Sequence, residues 1–124
     1  MINETDLEAW DYYKDSTLYQ NLTLSSYQKA AAGTAIYPTQ HAITYPALGL
    51  AGEAGEVANK VKKIIRDGKM DKAALAAEIG DCLWYIAALC RDLNVDLEQV
   101  AKNNLEKLYN RKQKGTLQGS GDTR

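Results

Sequence analysis

From Thr23 onward the apolar positions recur at the spacing of helices. Leu50, Ala54, Val57, Val61 and Ile64 make one stripe; Leu75, Ile79, Cys82, Ile86 and Leu89 make a second; Leu97, Val100, Ala101, Leu105 and Leu108 make a third. A weaker stripe, Tyr27, Ala31, Thr34 and Ala35, precedes them. The pattern predicts helices over Thr23–Ile36, from Pro46 or Ala47 to Arg66, from Asp71 or Lys72 to Leu93, and over Leu97–Lys112. Punctuation agrees with these bounds. Thr23 or Ser25 can cap the first helix, with Gln28 three residues after Ser25 as in a capping box. Pro38 ends that helix, Gly68 in the turn DGKMD stops the next, and Asp96 can cap the last. The short turn at Gly68 makes the two central helices antiparallel neighbours. The expected architecture is all-α, an antiparallel bundle of four to five helices.

The two central helices carry the same device. Glu53 and Glu56 lie three residues apart in LAGEAGEVANKVKKI, and Glu78 and Asp81 lie three apart in LAAEIGDCLWYIAAL. At about 100° per residue, each pair shares one helix face, at the same edge of its apolar stripe. Stripes and acids match at one constant offset, so this is a short internal repeat. The small residues around both pairs (Ala51, Gly52, Ala54 and Gly55; Ala76, Ala77 and Gly80) suit close helix packing.

Four facing carboxylates need compensation. Two like charges 4 Å apart repel by roughly 4 kcal/mol at an effective dielectric near 20. Such a cluster takes up protons or holds a cation. The plain alternative is a pair of solvated helix faces, with Glu56 bridging Lys60 four residues on. The duplication in small-residue helices favours the cation. An oxygen-only donor set suits Mg²⁺, with Mn²⁺ as substitute. Di-iron carboxylate bundles use Glu-x-x-His on two helices, whereas the single histidine here, His41, stands outside both pairs.

With GLAGEAGE followed by a second helix bearing ExxD, the chain resembles the MazG-like nucleotide pyrophosphohydrolases, relatives of the all-α dUTPases and dCTPases. The resemblance runs from about Tyr27 to Arg111 and puts Glu53, Glu56, Glu78 and Asp81 at the catalytic and metal-binding positions. It implies a Mg²⁺-dependent enzyme cleaving nucleoside triphosphates between the α and β phosphates. Family members carry an aromatic residue and a histidine shortly before the first acid helix, against base and sugar; by spacing these are Tyr37 and His41 in YPTQHAITYP. Tyr85, one turn past Asp81, matches a tyrosine near the sugar. Asn104, Lys107 and Arg111 match a C-terminal element facing the phosphates, and Lys60 can hold a phosphate oxygen or neutralise Glu56. Each has a plainer reading: a core plug for Tyr37, a loop residue for His41, a solvated basic face near a helix C-terminus for Lys107 and Arg111. Trp84 falls away from the acids and is expected on an outer, packing face.

Composition narrows the setting. With 124 residues, 45% of them apolar, and a net charge of −1, the chain reads as one ordinary domain without an argument for nucleic-acid polymers or membranes. No apolar run is expected to approach the roughly 20 residues that span a bilayer, and MINETDLEAW lacks signal-peptide features. Cys82 and Cys90 read as reduced core residues of a cytoplasmic protein. Residues 1–22, with Trp10, Tyr12, Tyr13 and Tyr19, form an N-terminal extension of irregular period; 23–112 form the catalytic helical domain; the polar, glycine-rich 113–124 form a tail expected to be flexible.

These readings converge on a (deoxy)nucleoside triphosphate pyrophosphohydrolase, for house-cleaning of aberrant nucleotides or control of a dNTP pool; hydrolysis of a guanosine tetraphosphate alarmone is a weaker option. The alternatives are a non-enzymatic helical oligomer binding nucleotide or a partner protein, and a purely structural bundle. Large residues outside the stripes, Ile65, Leu83 and Trp84, predict a homo-oligomer, a dimer or tetramer.

Overall fold

The computed structural model describes Lys14 and residues 16–124, and every regular element among them is helical. In chain order these are α1 (Thr17–Gln20), α2 (Leu24–Ala32), a 3₁₀ turn (Thr39–His41), α3 (Thr44–Asp67), α4 (Lys72–Asp92) and α5 (Leu97–Lys114). Most of the N-terminal extension, including Trp10, Tyr12 and Tyr13, lies outside the described residues.

Local chemistry explains each boundary. Thr23 and Ser26 form the capping box of α2: the Thr23 hydroxyl accepts from the Ser26 N–H at 3.0 Å, and the Thr23 N–H donates to the Ser26 hydroxyl at 2.9 Å. Helix α2 ends four residues before the expected Ile36, because the turn tightens at Gly33 and both the N–H and the hydroxyl of Thr34 return to the Ala31 carbonyl. Helix α3 begins at Thr44, ahead of Pro46. Proline is tolerated in a first turn, where its missing N–H would have had no helical partner. Gly68 closes α3 at φ 69°, a conformation open to glycine at little cost, and Asp71 caps α4 by accepting from the Ala74 N–H at 3.0 Å.

Helices α3 and α4 form the antiparallel hairpin, with α2 laid across α4 and α5 against both α2 and α4. The core is small: Ala87, Cys90 and Leu97, covered by Leu24, Tyr27, Ala31, Leu83 and Ile86. Gln28 is a tie between α2 and the α4–α5 turn, and not the box residue expected from its spacing. Its side chain donates to the Val95 carbonyl at 2.9 Å and accepts from the Leu97 N–H at 2.8 Å. Both cysteines are free, Cys90 buried and Cys82 partly so.

The predicted stripes are only partly covered. Val61, Ile79, Val100, Leu105 and Leu108 stay exposed, and α5 packs on its neighbours far less closely than α3 packs on α4. Contrary to the sequence expectation, α4 is long and apolar enough to cross a membrane by length and composition, although it packs as the central helix here. Close packing around the acids also fails among the described residues: a Cβ added at Gly52, Gly55 or Gly80 would meet none of them outside its own helix within 4 Å. The terminal segment doubles back. Gly115 ends α5, Thr116 returns its N–H to the Arg111 carbonyl at 2.8 Å, and the Arg111 guanidinium donates to the Asp122 carbonyl at 3.0 Å.

Candidate active site

The antiparallel hairpin turns two sequence repeats into one cluster. Glu53 from α3 meets Glu78 and Asp81 from α4, each offering a carboxylate oxygen, with all three oxygens within 4.8 Å of one another. Glu53 and Glu78 are partly buried and Asp81 is exposed. The Glu53 carboxyl is pushed above its ordinary range, first by partial burial, then by the charges of Asp81 and Glu78, a hydrogen bond shared with Glu78, and the charge of Glu56. The cluster is therefore short of positive charge. Its donors are all oxygens, so they fit a hard cation. Glu56 is exposed and stands outside the trio, beside Glu53 on the same helix. Lys60 crosses to the neighbouring helix, where its ammonium lies 3.3 Å from Glu78.

Next to the acids opens a groove of about 370 Å³, lined by Thr34, Ile36, Tyr37, Tyr45, Trp84 and Tyr85 together with Glu53 and Asp81. Tyr37 and Tyr45 stack with ring centroids 4.6 Å apart, and Trp84 and Tyr85 meet edge to face at 5.1 Å. Trp84 is thus a groove wall and not an outer packing residue. Its indole N–H reaches the Thr34 hydroxyl at 2.7 Å, because the turn after α2 passes over this part of α4. Tyr45, which carried no assigned role in the sequence, completes the aromatic set; its place next to Pro46, at the entry of the acid helix, was the available signal. Burial raises the Tyr85 hydroxyl pKa, and Tyr45, Glu53 and Asp81 beside it raise it further.

Tyr37 is held by a buried acid. Its hydroxyl donates to Asp92 at 2.6 Å and accepts from Arg91 at 2.7 Å, and the Arg91 guanidinium lies over its ring at 5.5 Å. Burial and the Asp92 bond push the Tyr37 pKa up to about 12. Burial alone would raise the Asp92 pKa, but bonds from Tyr37, the Ile43 N–H and Arg91 outweigh it and hold the carboxyl below its usual range. The Ile43 N–H reaches Asp92 at 3.0 Å, and Ile43 sits at φ 69°, ψ −54°. With the Thr44 N–H on the Ala42 carbonyl at 2.7 Å, this is the rare γ-turn form with positive φ. A β-branched residue there is strained, of order 1–3 kcal/mol. Asp92 therefore pins a strained turn and a groove wall together. His41, in the 3₁₀ turn, is exposed and does not line the groove.

Asn104, Lys107 and Arg111 are not brought to the acids within one chain. Lys107 and Arg111 line a separate groove of about 380 Å³ that shares no residue with the first, and Asn104 lines neither. Asp122 from the returning tail pairs with Arg111 at 3.5 Å and with Lys107 at 3.9 Å. Arg111 is only 7% exposed, and its Nε has no hydrogen-bond partner among the described residues.

Comparison with known sequences identifies a family. The sequence model of the MazG nucleotide pyrophosphohydrolase domain matches residues 42–116, which contain both acid helices and α5. The chain is also similar to the Gene 37 protein of Mycobacterium phage L5, 48% identical over 109 residues, covering 79% of this chain and 96% of the relative. No solved structure matches it. An acid trio assembled across an antiparallel helix pair, inside a domain match that spans both helices, places this chain in the MazG nucleotide pyrophosphohydrolase family.

Proposed function

We propose that the chain is a Mg²⁺-dependent nucleoside triphosphate pyrophosphohydrolase, converting a (d)NTP and water to a (d)NMP and pyrophosphate. The supporting observation is the contiguity of the acid trio with a groove walled by four aromatic rings. Rings offer stacking surface to a base, and stacking tolerates many bases. Glu53, Glu78 and Asp81 would hold the ion, with Glu56 one turn along the same edge. Bound there, Mg²⁺ or Mn²⁺ supplies Lewis acidity toward phosphoryl oxygens and acidifies water. Glu53, which lines the groove, would orient a water beside the scissile phosphate. Tyr85 and Trp84 line the groove beside Glu53 and Asp81.

The chain works as a homo-oligomer in this reading. Ile65 is 82% exposed and Leu48 70% exposed, on the same helix as Glu53, and Val100, Leu105 and Leu108 of α5 are exposed as well. Exposed apolar surface of this extent marks an interface. The deciding experiment incubates the protein with Mg²⁺ and a panel of dNTPs and NTPs and reads nucleotide product and pyrophosphate. Monophosphate and pyrophosphate in equal amounts are expected. Nucleotide binding without any pyrophosphate would favour the non-enzymatic alternative.

A further inference from the structure

Gly49 and Tyr85 form the layer next to the acids. Gly49 lies four residues before Glu53 and Tyr85 four residues after Asp81. Because α3 and α4 run antiparallel, both steps lead toward the same end of the pair, roughly 6 Å along the helices. There the Tyr85 ring lies directly on the α3 backbone. A Cβ added at Gly49 would come within 2.5 Å of the Tyr85 ring atoms Cδ1 and Cζ, and closer still to Cε1. No real side chain tolerates such an approach. The contrast with Gly52, Gly55 and Gly80 is sharp, since a Cβ at those positions meets none of the described residues outside its own helix within 4 Å. The Tyr85 ring is also confined laterally, by Trp84 at 5.1 Å and Tyr45 at 6.4 Å. Pushed off the α3 backbone, it moves into the groove that it now borders.

We infer that Gly49 is a positioning residue: by leaving room for Tyr85 against α3, it keeps open the passage between the acid trio and the Tyr37–Tyr45 stack. It thereby selects ligands that span from a metal-bound anion to a ring. The inference rests on the proposed nucleotide chemistry, but its test reads affinity and not turnover. Gly49→Ala is made in the wild-type background and in a Tyr85→Ala background. Each protein is titrated by calorimetry, with Mg²⁺ present, with the four α,β-imido deoxynucleoside triphosphates and separately with inorganic tripolyphosphate, which has no ring. In the wild-type background Gly49→Ala should weaken the best-bound nucleotide by roughly tenfold or more, the scale of an overpacked contact. Tripolyphosphate affinity should stay within about twofold, inside the usual limit of independence between sites. In the Tyr85→Ala background the same substitution should change neither. Unchanged nucleotide affinity in the first background would overturn the inference. So would an equal loss for tripolyphosphate, or a persisting loss without Tyr85, because each would mean general damage to the helix pair. A wild-type chain that binds these analogues yet hydrolyses no triphosphate would remove the pyrophosphohydrolase reading and leave the inference standing. A wild-type chain that binds none of them would overturn both.

Discussion

Replacing Asp92 with alanine should unfasten one wall of the groove while most of the bundle survives. The Asp92 side chain is 6% exposed and accepts from the Tyr37 hydroxyl, the Ile43 N–H and the Arg91 guanidinium. Removing one partner of a buried charge pair typically costs about 3–5 kcal/mol. Arg91 is 35% exposed, so water takes over part of its solvation and the lower end applies. Against this, release of the Ile43 turn returns strain of order 1 kcal/mol or more. The net loss should be about 2 kcal/mol, a large share of the roughly 5–15 kcal/mol that stabilises a domain. Urea unfolding at pH 7, followed by far-UV ellipticity at one fixed protein concentration, measures it; the concentration is fixed because assembly adds to apparent stability. Nucleotide affinity should fall in the same variant, as Tyr37 leaves the groove. A loss below about 0.5 kcal/mol, the usual range for an exposed substitution, would refute the view that Asp92 fastens this wall.

Other outcomes follow from the same geometry. Glu53→Gln, Glu78→Gln and Asp81→Asn should each abolish turnover without unfolding the chain, and chelation should do the same to the wild type; full turnover in chelator would remove the metal assignment. Asp92 is held below its unfolded pKa, so its contribution is present above about pH 4 and is lost as pH falls through its depressed value. The stability difference between wild type and Asp92→Asn should therefore shrink in acid and hold steady at neutral pH. Tyr37 runs the other way: raised to about 12, its contribution is complete below pH 10 and lost as pH climbs toward 12. Ile65→Glu should shift sedimentation toward the monomer, which tests assembly at an exposed residue outside the groove; an unchanged sedimentation coefficient would argue against an interface there.

The helices and the acids were legible because both are local. A period near 3.6 and a three-residue spacing need no knowledge of what lies across the fold, and α3, α4 and α5 begin and end within two residues of their expected bounds. What depends on register between helices was not legible. The spacing that pairs Glu53 with Glu56 on one helix could not reveal that Glu53, Glu78 and Asp81 would converge while Glu56 stood aside. Trp84 looked peripheral because its angle on α4 was judged against the acids alone, without the turn that brings Thr34 onto its indole. The returning tail was equally hidden. A polar, glycine-rich composition carries no periodic signal, and its tie to Arg111 runs through the backbone carbonyls of Gly121 and Asp122. The family resemblance supplied Lys107 and Arg111, yet one chain does not carry them to the acids.

Lys60 gives the acid cluster a resident counter-ion. With its ammonium 3.3 Å from Glu78, the site is not a bare anionic hole awaiting any cation that diffuses past. Were a divalent ion held by Glu53, Glu78 and Asp81, it would compete with Lys60 for Glu78, and a released ammonium could meet an anion. On the proposed function, a triphosphate without its ion would face three carboxylates and a paired lysine. Three carboxylates against one ammonium leave the cluster net negative, so a cation would still be drawn in, and its charge would in turn favour an anionic ligand.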